Sequence, residues 1–306
     1  MPLIKSLRVL AGKLETTPGT GVTLTTGVDG IIDAYDVMID GEMTYNERVA
    51  AGAFGRQTGN VGLHAGSLKF KVPAVGGGTA GTAPAWASVC FESCAMALSA
   101  GTFAPFSASA TQQAATFGVY ENGAIKKLFG AMGTWTFNGE DGKTPYFEFD
   151  YKGVWQPPVD GTMFTPQFGT VVPQAFEGAT LSFGTLTPRL SKISIAYGAT
   201  VELRQDAGNA GGYVSAIITG RKTTGKMDPE MTLVAAYDQF GIWIAGTPGA
   251  LSIAFGAAGA GMTIAAPVCQ YTGIKEGDRN GIVTSDGDFQ CCQNGSTVDS
   301  ELTIAF

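Results

Sequence analysis

The feature that most constrains this chain is an order of elements that runs twice. Residues 31–155 read as two strands joined by a long loop, then a helix, then hairpins. Residues 186–306 read as the same order with a shorter middle. The halves share no clear residue identity, so the repetition lies in the succession of element types. A duplicated, glycine-rich, charge-poor β unit is more often a building block than a catalyst, and the expectations about function start there.

Composition narrows the class. Of the 306 residues only 15% are charged, against about 25% in an average soluble domain, while 44% are hydrophobic. The 44 glycines are about twice the usual share. Low charge at ordinary hydrophobicity predicts a surface that several neighbours cover. A net charge of −7 argues against a protein that grips nucleic acid, which needs clustered Lys and Arg on phosphates. The opening residues MPLIKSLRVLAGKLETTPGT hold no apolar run of signal-peptide length, and no stretch approaches a membrane span, so no membrane insertion is expected. Five cysteines at irregular spacing argue against a disulfide framework and for a reducing cytoplasm.

Along the chain, residues 1–30, rich in Gly, Thr and Pro, read as an extended arm. Tyr35, Val37 and Ile39 alternate on a first strand. Residues 44–62 are polar and Gly-interrupted and read as a loop far longer than a hairpin needs. Leu68, Phe70 and Val72 alternate with Lys69 and Lys71 on a half-buried strand. The segment APAWASVCFESCAMAL predicts a helix with one stripe of Trp86, Val89, Cys90, Cys94, Ala97 and Leu98, and Pro84 suits its first turn. Asn122-Gly123 is a type I′ hairpin signal. The strand YFEFDYKGVW sets Phe147, Phe149 and Tyr151 against Glu148, Asp150 and Lys152. Residues 156–185 read as a Pro-rich connector. In the second half Ile193, Ile195 and Tyr197 alternate, QFGIWIAGT stands where the helix stood, and ELTIAF closes the chain with a strand. The expected fold is mainly β, as two tandem units at 31–155 and 186–306.

Residues that could carry chemistry are thin and scattered. Gly76-Gly77-Gly78-Thr79-Ala80-Gly81 matches G-x-G-x-x-G, but Pro73 interrupts the strand before it and the helix starts several residues after the last glycine. No acidic residue near position 100 could meet a ribose, and no β-α-β pattern follows. No cofactor is expected, and the run reads as a loop. His64 is the chain's one histidine, which removes most zinc sites and leaves any Ser-His-Asp triad resting on it alone. Cys90 and Cys94 share a helix face, far in sequence from Cys269, Cys291 and Cys292. Asp29, Asp33, Asp36, Asp40 and Glu42 cluster without EF-hand spacing. The expectation is that this chain is not an enzyme, with no catalytic or metal-binding residues.

Several phrases, in order, resemble the major tail tube proteins of long, non-contractile-tailed bacteriophages. They are LETTPGT, GGGTAGTAPAW and VYENGAIKKLFGAMGTWTFNGEDGKTPYFEFDYKGVW, with YGATVELRQD, AIITGRKTTG, TLVAAYD and VCQYTGIKEGDRNG matching longer members of that family. The resemblance implies β-sandwich-like domains, each flanked by a helix, that form rings stacked into a hollow tube. Six domains complete a ring and each lends about four strands to an inner barrel, so three two-domain chains would suffice. Twenty-four strands at ~4.8 Å spacing and ~40° tilt close a backbone diameter near ~48 Å, which leaves a bore of roughly 40 Å for a duplex roughly 20 Å across. It further implies a virion tail location after assembly in the host cytoplasm, with tape measure, tail terminator and tail tip proteins as partners and genomic DNA passing through unbound.

On that reading, long loops reach a neighbouring ring through Asn46, Arg48, Phe54 and Arg56 and through Arg204, Asp206 and Tyr213. Glu148, Asp150, Glu202, Asp286 and Asp288 are candidates for an acidic lumen that keeps phosphates sliding. The rival expectation is a carbohydrate-binding or adhesion β-sandwich that presents Trp135, Trp155 and Trp243 to sugar rings. A dinucleotide-dependent enzyme on the GGGTAG loop is disfavoured, and a contractile-system tube protein is typically about half this length.

Overall fold

The alternating runs become strands, and the structure, a computed structural model, describes residues 5–49, 51–52 and 54–306. It is mainly β and antiparallel, with two short helices among the described residues. The first half holds β1 (Arg8–Leu14), β2 (Tyr35–Arg48), β3 (Gln57–Pro73), α1 (Ala85–Glu92), β4 (Met96–Ser99), β5 (Thr102–Pro105), β6 (Ala115–Glu121), β7 (Ala124–Glu140) and β8 (Tyr146–Asp160). The second holds β9 (Thr180–Phe183), β10 (Lys192–Ala196), β11 (Ala199–Gln205), β12 (Tyr213–Arg221), β13 (Thr224–Met227), α2 (Gln239–Ala245), β14 (Gly249–Phe255), β15 (Met262–Arg279), β16 (Ile282–Cys291) and β17 (Thr303–Ala305).

One large sheet runs β2-β3-β8-β7-β10-β13-β16-β15-β17-β5-β4, and its path does not close on itself. Pairing order in the first half recurs in the second. Off the β2-β3-β8-β7 path, β7 also pairs β6, which pairs β1. Off the β10-β13-β16-β15 path, β15 also pairs β14, which pairs β9. The long hairpin β2-β3 corresponds to β10/β11 running out and β12/β13 running back, bent at Gly198, whose φ of 66° favours glycine. Beyond that bend, β11 and β12 form a separate two-stranded sheet.

Aromatic residues predicted on one face of the strands form the core. Phe70, Phe147, Phe149, Trp135 and Phe137 are fully or almost fully buried beneath α1, which contributes Trp86 and Phe91. The Phe91 ring meets Phe147 at 5.2 Å and Phe149 at 5.5 Å. Trp135 stacks on Tyr197 of the second half at 5.3 Å, so the two halves share one core.

Several expectations change. The helix stops at Glu92 instead of running to Leu98. Ser93 Oγ donates to the Val89 carbonyl, Tyr151 donates to that of Cys90, and Ala95 takes a positive φ of 57°, so the last-turn carbonyls are capped by side chains and the chain turns into β4. Ala97 and Leu98, expected on the buried stripe, are exposed. The N-terminal segment is not all arm: Leu10 and Ala11 of β1 are buried against β6, while residues 1–4 lie outside the described residues. The loop expected at 44–62 is largely strand, leaving 49–56 as the connection, of which 50 and 53 lie outside the described residues. The 156–185 connector begins inside β8 and contains β9.

Glu15 fixes the end of β1. It is buried, and its carboxylate accepts from Gly19 N at 2.6 Å, Gly130 N at 2.8 Å and the Thr116 hydroxyl at 2.6 Å. Gly130 has φ 57° in the bulge of β7, with Ser215 of β12 and Gly19 packed against its Cα, so no side chain fits there. Glu15→Ala strands these donors and is expected to cost about 2–4 kcal/mol in chemical denaturation.

Candidate assembly surface

Among the described residues, three features of the fold lie open along much of their length. The first is the outer edge of β2, which pairs with no strand but β3 and is touched at Val37, whose carbonyl accepts from the Arg8 guanidinium at 2.6 Å. The second is the outer edge of β15 beyond Cys269: residues 270–279 run beside β16, while the pairings of β14 and β17 with β15 reach no further than Cys269 and Ala265. The third is the far half of the β2-β3 ribbon, where every residue from Asp40 to Arg48 is exposed. An isolated two-stranded ribbon is marginal in water, and open strand edges are templates for pairing with another chain.

The hydrogen-bond phase of the β15 edge follows from its neighbour. Ser285 donates its N–H to Pro229, away from β15, and its register partner is Glu276. In an antiparallel ladder both members of such a non-bonded pair turn their N–H outward. Ile274, Glu276 and Asp278 therefore present their N–H groups to the open side. The corresponding positions of β7 are occupied: Phe137 faces Ile195 and Gly139 faces Ile193 on β10.

The predicted site residues fall into two groups. Asn46 and Arg48 lie on the exposed ribbon, Phe54 and Arg56 in its connecting loop, and Phe54 is fully exposed. Exposed Tyr45, Val49 and Val61 make the ribbon apolar as well as long. Arg204 is the penultimate residue of β11, Asp206 shapes the following turn by accepting from Gly208 N at 2.8 Å, and Tyr213 begins β12. That turn docks on the base of the ribbon, with His64 N donating to the Gly211 carbonyl at 2.9 Å.

Glu148, Asp150, Asp286 and Asp288 share one sheet face. Register carries the face across from Asp288 through Lys226, Ser194 and Asn138, and Thr136, two residues along β7 from Asn138, lies opposite Glu148. Glu202 does not join them, because β11 has left the sheet. The face carries both signs: Lys69 pairs with Asp150 at 2.7 Å, Lys71 with Asp36 at 3.1 Å and Lys226 with Asp288 at 3.4 Å. The lysines are exposed enough that these pairs set local charge rather than stability. A 480 Å³ groove crosses this face at the β7–β10 junction, walled by Lys192 and Lys226 with Asp286 and Asp288.

Other expected features take structural places. Gly76 and Gly78 donate to the carbonyls of Ala260 and Gly259, so the glycine run is tied down by neighbouring backbone rather than open to a phosphate. Of the aromatic platforms of the adhesion reading, Trp135 and Trp155 are buried and Trp243 is half-buried. Among the described residues no cluster of three metal-ligating side chains occurs, and no helix is long and apolar enough to cross a membrane. Sequence reasoning missed the two open edges and the meeting of Cys269 with Cys291. The length and polar character of residues 270–279 were the available signal for the β15 edge.

No protein-family model matches this chain, and no curated protein matches it.

Proposed function

We propose that this chain is a structural virion protein, the ring unit of a hollow tail tube like those of the long, non-contractile-tailed phages it resembles. The observation that carries the reading is the junction inside the chain. There β7 pairs with β10 and joins two four-strand sets edge to edge, and the same two edges, on β15 and β2, are left open. A head-to-tail contact that repeats the internal junction is heterologous and generates a ring where the rotation closes. Three chains of eight strands would then close the twenty-four-stranded barrel in a trimer with pseudo-sixfold symmetry.

The register follows from the internal junction. Ile195 opposes Phe137 within the chain, and the buried counterparts Val37 and Ile274 would oppose one another between chains. Asp36 then faces Lys275 and Tyr35 faces Glu276. The α1 side of the sheet is the packed side, so the face of Glu148, Asp150, Asp286 and Asp288 becomes the wall of the bore. Three chains at −7 bring −21 to a ring, and the paired lysines keep the wall mixed in sign. DNA would slide past without specific binding. The exposed ribbon, with Phe54 at its tip, would reach the next ring, and the two ends of the tube would meet tape measure, terminator and tip proteins in the virion.

Negative-stain electron microscopy with rotational averaging tests this directly. Rings of three chains with six similar lobes, or tubes of them, are expected. Replacing Tyr45 and Phe54 with Ser should leave single rings while abolishing stacking. A protein that stays monomeric at every concentration, even when seeded with preformed tail tips, would sink the proposal.

A further inference from the structure

Cys269 and Cys291 are directly opposed on β15 and β16 and lie 3.5 Å apart, sulfur to sulfur, both buried. Cys291 sends its N–H to the Thr223 carbonyl, away from β15. The pair therefore occupies a non-hydrogen-bonded site, where the Cα atoms of antiparallel strands approach to ~4.5 Å. That separation lies within the range a disulfide spans, about 4.4–6.8 Å. Cys291 also lines a 360 Å³ pocket, together with Cys292 and Lys222.

We infer that Cys269 and Cys291 form an oxidisable dithiol that hydrogen peroxide closes to a disulfide once the protein is outside a reducing cytoplasm. The two sulfurs have different parts. Cys269 donates its S–H to Cys291, and that bond together with burial holds the Cys269 thiol well above its ordinary pKa. Cys291, which lies opposite Cys269 and lines the pocket, is assigned as the attacking sulfur. As thiolate it bonds to one peroxide oxygen, the O–O bond breaks, hydroxide leaves, and Cys291 becomes the sulfenic acid. The Cys269 sulfur then attacks the Cys291 sulfur and expels the hydroxyl, which takes up the thiol proton as water. Two thiols lose two electrons and one peroxide becomes two waters. The new bond needs the sulfurs to close from 3.5 Å to about 2.05 Å. It would staple β15 to β16 where the open edge of β15 begins. The site lies within one chain and stands whether or not chains assemble.

The test is peptide mapping of the full-length protein under non-reducing conditions after hydrogen peroxide, in the wild type and in Cys292→Ser, which removes the half-exposed neighbour. Both should lose two thiols, yield a Cys269–Cys291 linked peptide, and gain several degrees in Tm that dithiothreitol reverses. In Cys269→Ser the Cys291 sulfenic acid should persist and be trapped by dimedone. Full oxidation of Cys292 with Cys269 and Cys291 still alkylatable after unfolding would overturn the inference. So would a cross-link that involves Cys90 or Cys94.

Discussion

Glu276→Pro is expected to abolish assembly while leaving the monomer folded. Glu276 is exposed and directs its N–H to the open side of β15, since its partner Ser285 is bonded to Pro229 instead. Proline there removes one donor from the edge and none from the β15–β16 ladder. If the next chain pairs through this edge, the loss of that bond and the ring's intrusion on the neighbouring strand remove the ring. Sedimentation should show monomers under conditions where the proposal has wild type form rings or tubes, at a Tm within a few degrees of wild type. Gly139→Pro alters the corresponding position inside the chain, where β7 meets β10, and should lower monomer stability instead. Wild-type assembly from Glu276→Pro would mean that β15 is not the joining edge.

How much of this was legible follows from what periodicity records. Leu68, Phe70 and Val72, and Phe147, Phe149 and Tyr151, alternate because one face of the sheet is dry, and these strands were plain in the sequence. Asn122-Gly123 was equally plain, and both residues take positive φ, 44° and 106°. The far half of the β2-β3 ribbon reads as loop because it is exposed, so no alternation marks it. β1 and β9 were missed for a different reason. Each is short and owes its strand character to a partner about a hundred or about seventy residues away, β6 and β14. The repeated order of elements was visible, but the edges that give it meaning depend on which strands pair. The cysteines show the same limit: spacing set Cys269 apart from Cys291, and register put them side by side.

The second large effect concerns which face of the sheet is dry, and the proposed placement of a bore depends on it. Phe149 is fully buried, with its ring among Phe70, Trp86, Phe91 and Tyr151. Phe149→Ala is expected to cost about 3–5 kcal/mol, since the ring's transfer energy is lost and a cavity remains between α1 and the sheet. Against a total stability of roughly 5–15 kcal/mol, that is enough to leave much of the protein unfolded near body temperature. Its sequence neighbour Asp150 points to the other face, half-exposed beside Lys69. Asp150→Asn should change stability by no more than about 0.5 kcal/mol. Denaturant unfolding of both variants compares them directly. A large loss at Phe149 with none at Asp150 fixes the face of Asp150 as the wet side, the one available to line a channel. Comparable losses at both would mean that Asp150 is packed against something in the monomer, and the wall of the bore would have to be sought on another surface.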